Sequence, residues 1–338
     1  MWRFVFLLFI AFSLHSHLLG QPEKVNNFYI LFYNTENLFD TQDDPLTDDQ
    51  EFLPRGDRHW TNYRFYQKLN HLSKVILSSA GFDLPDIVGL CEVENRFVLE
   101  RLLSETPLKT ANYSIIHKDS PDERGIDVGL LYRSDRVTPL SYHFLPLINN
   151  KGEIEETREI LHAEFLLGLE DTIHVFFNHW PSRYGGQSET EEDRMLAATT
   201  LKTEIDKLQK TNLKVKVVTM GDFNDQPQNA SLRNGLQSVE TDQQDLDGEL
   251  INLCAFWKQG TIKYRQTWSV FDQIIVTDQL LKPIGWHTNM ENATIVNLPF
   301  LFEADEKYKG QKLNRTFSGF SYHGGFSDHL PILLKLIR

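Results

Sequence analysis

Cysteine is nearly missing from this chain, with 2 in 338 residues. Cys91 and Cys254 give no disulfide framework and no zinc site, and Cys91 falls inside the apolar run 87–91, where a buried free thiol is expected. Long hydrophobic runs are missing too, with one short exception. Arg3 precedes an apolar stretch from Phe4 to Leu14 that is too brief to span a bilayer and stands where a secretory signal peptide would. Leu18-Leu19-Gly20 begins like a lipoprotein cleavage site, but Gln21 occupies the position where lipid attachment requires Cys. The expectation is a signal peptide over 1–20 and one domain over 21–338. The mature chain is then exported, to the periplasm or beyond the cell, without a stable membrane anchor.

Positive charge is the third shortage. Lys and Arg total 34 against 47 Asp and Glu, a formal net charge of -13. So acidic a protein repels a polyanion at long range, which argues against tight, sequence-independent duplex binding while leaving local basic clusters free to hold one phosphate. No long basic stretch with interleaved aromatics grips a duplex either. There is no Gly-x-Ser-x-Gly elbow and no reactive cysteine context, so nothing points to covalent catalysis. Internal repeats and low-complexity linkers are absent. The remaining composition, 41% hydrophobic and 24% charged, suits a globular chain with a large core.

What the chain does have is polar residues delivered at the ends of apolar runs. Phe28 to Tyr33 reads as a strand buried on both faces, and Asn34 follows it. After an acidic loop, Phe65, Leu69, Leu72 and Ile76 fall at helical spacing, with Gly81 as a stop. A second buried strand, Ile87 to Cys91, ends at Glu92, and Asn95 is placed to cap a helix carrying Phe97, Leu99, Leu102 and Leu103. Further strands are predicted at Tyr113–Ile116, Val128–Tyr132, Leu161–Leu167, Ile173–Phe177, Val215–Thr219, Phe271–Val276 and Pro331–Leu336, and a longer helix at Thr190–Leu208. Strands alternate with helices, yet hairpin-like spacing in the middle favours a mixed sheet.

The chemistry follows from residue type. Glu92 is the expected metal ligand, because Mg²⁺ and Mn²⁺ take oxygen donors and often only one or two protein carboxylates. In Gly221-Asp222-Phe223-Asn224, the glycine allows close backbone approach. Asp222 and Asn224 face the same way if the segment stays extended, the first to orient or deprotonate a water and the second to donate to a phosphate oxygen. His179, in Asn178-His179-Trp180-Pro181-Ser182-Arg183, can donate to a phosphate oxygen or protonate a leaving group. Asp272 is proposed to hold His329 in one tautomer.

Together these segments resemble the endonuclease/exonuclease/phosphatase superfamily of metal-dependent phosphoesterases. The resemblance runs from Tyr33-Asn34-Thr35-Glu36-Asn37 to Ser327-Asp328-His329-Leu330-Pro331, with the motifs in the same order. It implies an α/β fold, a four-layered α/β/β/α sandwich in which two mixed sheets pack face to face with the site at their shared edge. It implies that Glu92 binds Mg²⁺ or Mn²⁺, with Asn34 and Asp328 at or beside the metal, and that His179, Asp222 and Asn224 surround the scissile phosphate. Whether Asp222 or His329 generates the nucleophile is left open. Asp57-Arg58-His59-Trp60, Arg124-Gly125-Ile126-Asp127-Val128 and Arg315-Thr316-Phe317 look similar to exported bacterial members. Arg124, Arg183 and Arg315 are candidates for phosphate contacts, since guanidinium clamps phosphate bidentately. The expected activity is phosphodiester hydrolysis, nuclease-like, on nucleic acid or a small phosphodiester, with no protein partner inferred. A phosphomonoesterase or a lipid or inositol-phosphate phosphoesterase on the same centre is the alternative, and a non-catalytic binding protein the third choice.

Overall fold

The computed structural model describes residues 27–168, 171–240 and 248–338, so the expected signal peptide lies outside the described residues. Within them, alternation along each strand sorts side chains onto two faces. In β1 (Asn27–Leu38), Phe28, Ile30 and Phe32 point one way and Leu31 and Tyr33 the other, and both sets are buried. The first sheet adds β2 (Ile87–Val93), β3 (Tyr113–Ile116), β4 (Asp127–Arg133), β12 (Ala293–Ile295) and β13 (Ile332–Ile337), in the order β12-β13-β1-β2-β4-β3. The second holds β5 (Val137–Leu145), β6 (Ile160–Leu167), β7 (Asp171–His179), β8 (Val217–Asp222), β9 (Ser238–Val239), β10 (Leu250–Asn252) and β11 (Asp272–Thr277), in the order β5-β6-β7-β8-β11-β10-β9. Both are mixed: β1 runs parallel to β2 and β7 parallel to β8, while the central pairs β1–β13 and β8–β11 are antiparallel.

Three apolar clusters mark the three contacts between four layers. Phe32, Cys91, Leu130 and Leu334 of the first sheet meet Phe165, Val175, Met220 and Ile274 of the second. On the outer side of the first sheet, Leu31, Val88 and Leu131 pack against α1 (Asn62–Ser78) and α2 (Arg96–Ser104) through Phe65, Leu69, Leu72, Val98 and Leu102. Outside the second, Phe176, Val217 and Ile275 pack against Ala198, Leu201 and Ile205 of α3 (Glu191–Thr211). The result is the α/β/β/α sandwich. Asn95 caps α2 as expected, its side chain accepting from the Val98 N–H at 3.1 Å. Among the described residues no helix is long and apolar enough to cross a membrane.

Three strands of the second sheet escape the sequence pattern, the two- and three-residue β9 and β10 and the nine-residue β5. β5 is an outer edge of the sheet, carries Pro139 beside a register shift, and exposes Leu140 and Tyr142. An edge strand with one open face and a proline loses the alternation that identifies its neighbours.

Candidate active site

The strand register builds one wall of the site directly. His179 at the end of β7 is the Cα partner of Asp222 at the end of β8, and Asp222 is the partner of Asp272 at the start of β11. Three polar residues therefore stand on one rung across three adjacent strands, all buried. Gly221 permits the close approach predicted for it, since a Cβ there would run into the Asn178 carbonyl of β7. His329 arrives just before β13, positioned by its own N–H, which donates to Ser327 Oγ at 3.1 Å. Its Nδ1 lies 2.7 Å from Asp272 Oδ2 and its Nε2 3.7 Å from Asp222 Oδ2. The pairing of Asp272 with His329, expected from chemistry, is present.

The opposite rim comes from irregular backbone. β1 and β2 lose register between Asn34 and Leu38, and β2 and β4 between Cys91 and Val93. Glu36, Asn37 and Glu92 have φ of 51°, 59° and 57°, the left-handed region that non-glycine residues rarely enter. Thr35 Oγ1 bonds the carbonyls of Cys91 and Glu92 at 2.9 Å each, and the Asn37 N–H donates to Glu92 Oε2 at 2.9 Å. These bonds hold Glu92 turned inward, and such strain clusters at functional sites.

Asn34 joins the two sides. Its Nδ2 donates at 3.1 Å both to Glu92 Oε1 and to Asp222 Oδ2, while its Oδ1 accepts from the Glu36 N–H at 2.9 Å. A backbone N–H can only donate, so this contact fixes which end of the amide is oxygen. Asn34 thus presents nitrogen to the centre and steers two carboxylates. His179 Nε2 faces the same carboxylates, 3.9 Å from each, and its Nδ1 is buried without a hydrogen-bond partner among the described residues.

Protonation follows from burial and neighbours. Burial works against a charged His329, but Asp272 and Asp222 outweigh it and lift the ring well above its ordinary value. Asp222 is pushed up to about 7, mainly by burial, with His329 pulling it down and Asp272 pushing it up. His179 goes the other way, well below 6.5, through burial and then the cations Arg158 and Arg124. The two imidazoles beside Asp222 are therefore driven apart, one towards cation and one towards neutral base.

Other predicted residues fall in different settings. The Asp222–Asn224 segment does not stay extended. Asn224 has φ 50°, its N–H donates to Asp222 Oδ1 at 2.9 Å, and its amide donates to the Trp180 carbonyl at 3.0 Å. It closes the strand as an Asx turn, so the expectation of two side chains facing one way is corrected. Arg183 is bonded to the Asn224 carbonyl (2.6 Å), Asp225 (2.6 Å), Asn229 (2.9 Å) and Gln187 (2.8 Å), which makes it the clamp of that loop. Arg124 is exposed, 3.6 Å from Asp122. Arg315 lies on the rim, with Nη2 at 2.8 Å from Asp328 Oδ2 and Nε at 3.3 Å from Glu36 Oε1.

Sequence reasoning missed the support behind the rim. Glu36 accepts from the N–H groups of Thr316 (2.6 Å) and Phe317 (3.1 Å), and buried Lys68 donates to Thr316 Oγ1 and the Phe326 carbonyl at 2.6 Å each. Lys68 left a signal: it interrupts the apolar face of α1 between Phe65 and Leu72. Buried Arg158, bonded to Asp122 and the Trp180 carbonyl, left none.

A four-layered sandwich with carboxylates, an amide and imidazoles gathered where its sheets meet is the architecture of the hydrolytic, divalent-metal-dependent phosphoesterases. The chain belongs to the endonuclease/exonuclease/phosphatase family, whose profile matches residues 29–338. Among solved structures it is similar to an endonuclease/exonuclease/phosphatase family protein from Bacteroides thetaiotaomicron (15% identity, TM-score 0.58, covering 92% of this chain and 98% of that one). It is similar to D. rerio TDP2 complexed with single strand DNA product (14%, 0.54, 92% and 99%). A third is the B. thetaiotaomicron mannosyl-6-phosphatase Bt3783 (15%, 0.56, 92% and 100%). At these identities the likeness is one of fold. No curated protein sequence matches the chain.

Proposed function

We propose that this chain is a metal-dependent phosphodiester hydrolase, nuclease-like in its reaction, in which an activated water attacks phosphorus in line without a covalent intermediate. The observation that carries the reading is the His329–Asp272 pair at 2.7 Å beside Asp222, facing Glu92 across the Asn34 amide. Asp222, near 7, is matched to accept a proton from water at neutral pH. His329, held cationic by two carboxylates, stabilises charge developing on the phosphate oxygens. Neutral His179 donates a hydrogen bond to the same oxygens, and Asn34 keeps Glu92 and Asp222 apart and aimed.

The donor set fits a hard cation. Asp222, Asp272 and His329 have ligand atoms mutually within 4.8 Å, but Nδ1 of His329 is committed to Asp272, which leaves that group acting as an ion pair. Glu92 and Asp328, with side chains 17% and 25% exposed, offer oxygens at the opening and are the residues we assign to Mg²⁺ or Mn²⁺. The cation supplies charge neutralisation at the phosphate oxygens.

The test is a substrate panel with and without EDTA: bis-p-nitrophenyl phosphate against p-nitrophenyl phosphate, then DNA, RNA, sphingomyelin and inositol phosphates. Diesterase activity lost in EDTA is expected. Exclusive monoester activity would replace this reading with a phosphomonoesterase, which the fold likeness to a mannosyl-6-phosphatase favours. We also propose that the mature chain is exported, on the strength of its N-terminal apolar stretch; N-terminal sequencing of protein from the periplasm or medium reads the cleavage point.

A further inference from the structure

Three imidazoles form a row on the outer face of the second sheet, apart from the site above. His143 of β5 and His162 of β6 are direct cross-strand partners, and His174 of β7 continues the row. His162 Nδ1 lies 3.1 Å from His143 Nε2, and its Nε2 lies 3.0 Å from His174 Nδ1. A carboxylate closes each end. Glu204 Oε1 of α3 is 3.6 Å from His143 Nε2, and Glu164 Oε1 is 3.8 Å from His174 Nε2. His162 is 3% exposed and stacked on Phe176, with ring centroids 4.0 Å apart. His174 precedes His179 by five residues, roughly 17 Å of extended strand, so the row belongs to a different place from the proposed catalytic centre.

We propose that His143, His162 and Glu204 form a Zn²⁺ site that ties the edge strand β5 to α3. Their three ligand atoms all lie within 4.8 Å of one another. Two nitrogens bound tetrahedrally to one zinc at about 2.0–2.1 Å stand roughly 3.3 Å apart, and the His143–His162 pair is already at 3.1 Å. Zinc takes neutral imidazole nitrogen, and both ring nitrogens of His162 face imidazoles rather than carboxylates. The rest of the row sets its tautomer. With Nδ1 free as a lone pair, His162 Nε2–H donates to His174 Nδ1, and His174 Nε2–H faces Glu164, the outer relay that orients metal-bound histidines. Lys207 holds Glu204 by Oε2 at 3.0 Å and leaves Oε1 towards His143. Water completes the coordination, since His143 is exposed.

The experiment uses the full chain, stripped with chelator and then titrated with Zn²⁺ against a chromophoric competitor in excess Mg²⁺. His143 is exposed and Glu204 partly covered, and circular dichroism checks the fold of His143→Ala and Glu204→Gln. One tight equivalent of zinc is expected in the wild type, retained in Glu92→Gln and weakened at least about tenfold in His143→Ala and Glu204→Gln. Zinc should raise the Tm of the wild type and leave that of His143→Ala in place. The proposal is overturned if the wild type takes up no tight zinc, if His143→Ala binds it unchanged, or if the equivalent disappears in Glu92→Gln.

Discussion

The two sides of the candidate active site are made in opposite ways. The wall of the second sheet is regular: His179, Asp222 and Asp272 share one rung across three adjacent strands and are buried, and the register alone fixes their spacing. The rim of the first sheet is irregular, with Glu92 delivered by a strand that breaks register and adopts a left-handed φ, and with Glu92, Asp328 and Arg315 partly open to solvent. A regular sheet gives a rigid, dry array in which neighbours decide protonation. A bulged strand end turns oxygens into the opening of the site, where a cation and a phosphate can reach them. In the proposed function the wall handles the proton and donates to the phosphate oxygens, while the rim holds the cation.

Substitution should separate them. Glu92→Gln keeps the shape of the rim but removes its central charge and one of the two oxygens that accept from Asn34 Nδ2 and the Asn37 N–H. Turnover is expected to fall by ~10³-fold or more, with a Tm near that of wild type. Near-normal turnover would remove Glu92 from the metal site and with it the division of labour. Asp272→Asn acts on the wall, where the loss of the carboxylate frees His329 to adopt the wrong tautomer and lowers its proton affinity. A fall in kcat of about 10²-fold with little change in KM is expected; a pure KM effect would mean that the wall binds substrate without handling protons.

The wall was largely legible in the sequence, because residues at strand ends are marked by the apolar runs before them. His179, Asp222 and Asp272 each follow or begin such a run. The contact of Asp272 with His329 could be proposed from chemistry but not located, since 57 residues separate them and only the β8–β11 register and the entry to β13 bring them together. The rim was less legible. Glu36 was visible in Asn34-Thr35-Glu36-Asn37 yet had no role, because its partners Thr316 and Phe317 lie some 280 positions away. Asn224 was misplaced because alternation assumes an extended chain, and a left-handed turn defeats it.

The arginines sharpen the contrast further. Both Arg124 and Arg183 were expected at the phosphate, but only Arg124 is exposed, while Arg183 clamps the loop that ends the wall. Arg183→Ala strands part of the hydrogen-bonding capacity of buried Asp225, although Arg194 still contacts its other oxygen at 2.9 Å. A stability loss of about 2 kcal/mol in urea unfolding is expected. Arg124→Ala should instead raise KM several-fold at unchanged stability. The reverse pattern would return Arg183 to the substrate.

Lys68 tests whether the open rim rests on a buried charge. Burial lowers it to about 8, with Glu36 and Asp328 pulling it partly back up, whereas in the unfolded chain it titrates near its usual ~10.4. Between those values the unfolded chain binds more protons than the folded one. Stability of the wild type should therefore gain, from this group, up to about 1.4 kcal/mol per pH unit as pH rises from 8 towards 10. The burden of a buried cation is full below pH 8 and is relieved above it. Lys68→Met removes that contribution, so urea unfolding at pH 8, 9 and 10 should show the two proteins' stabilities changing by different amounts, the wild type improving relative to the variant. Parallel curves would mean that Lys68 keeps an ordinary proton affinity, and that Glu36 is held by the backbone of Thr316 and Phe317 and by Arg315 rather than by the charge beneath it.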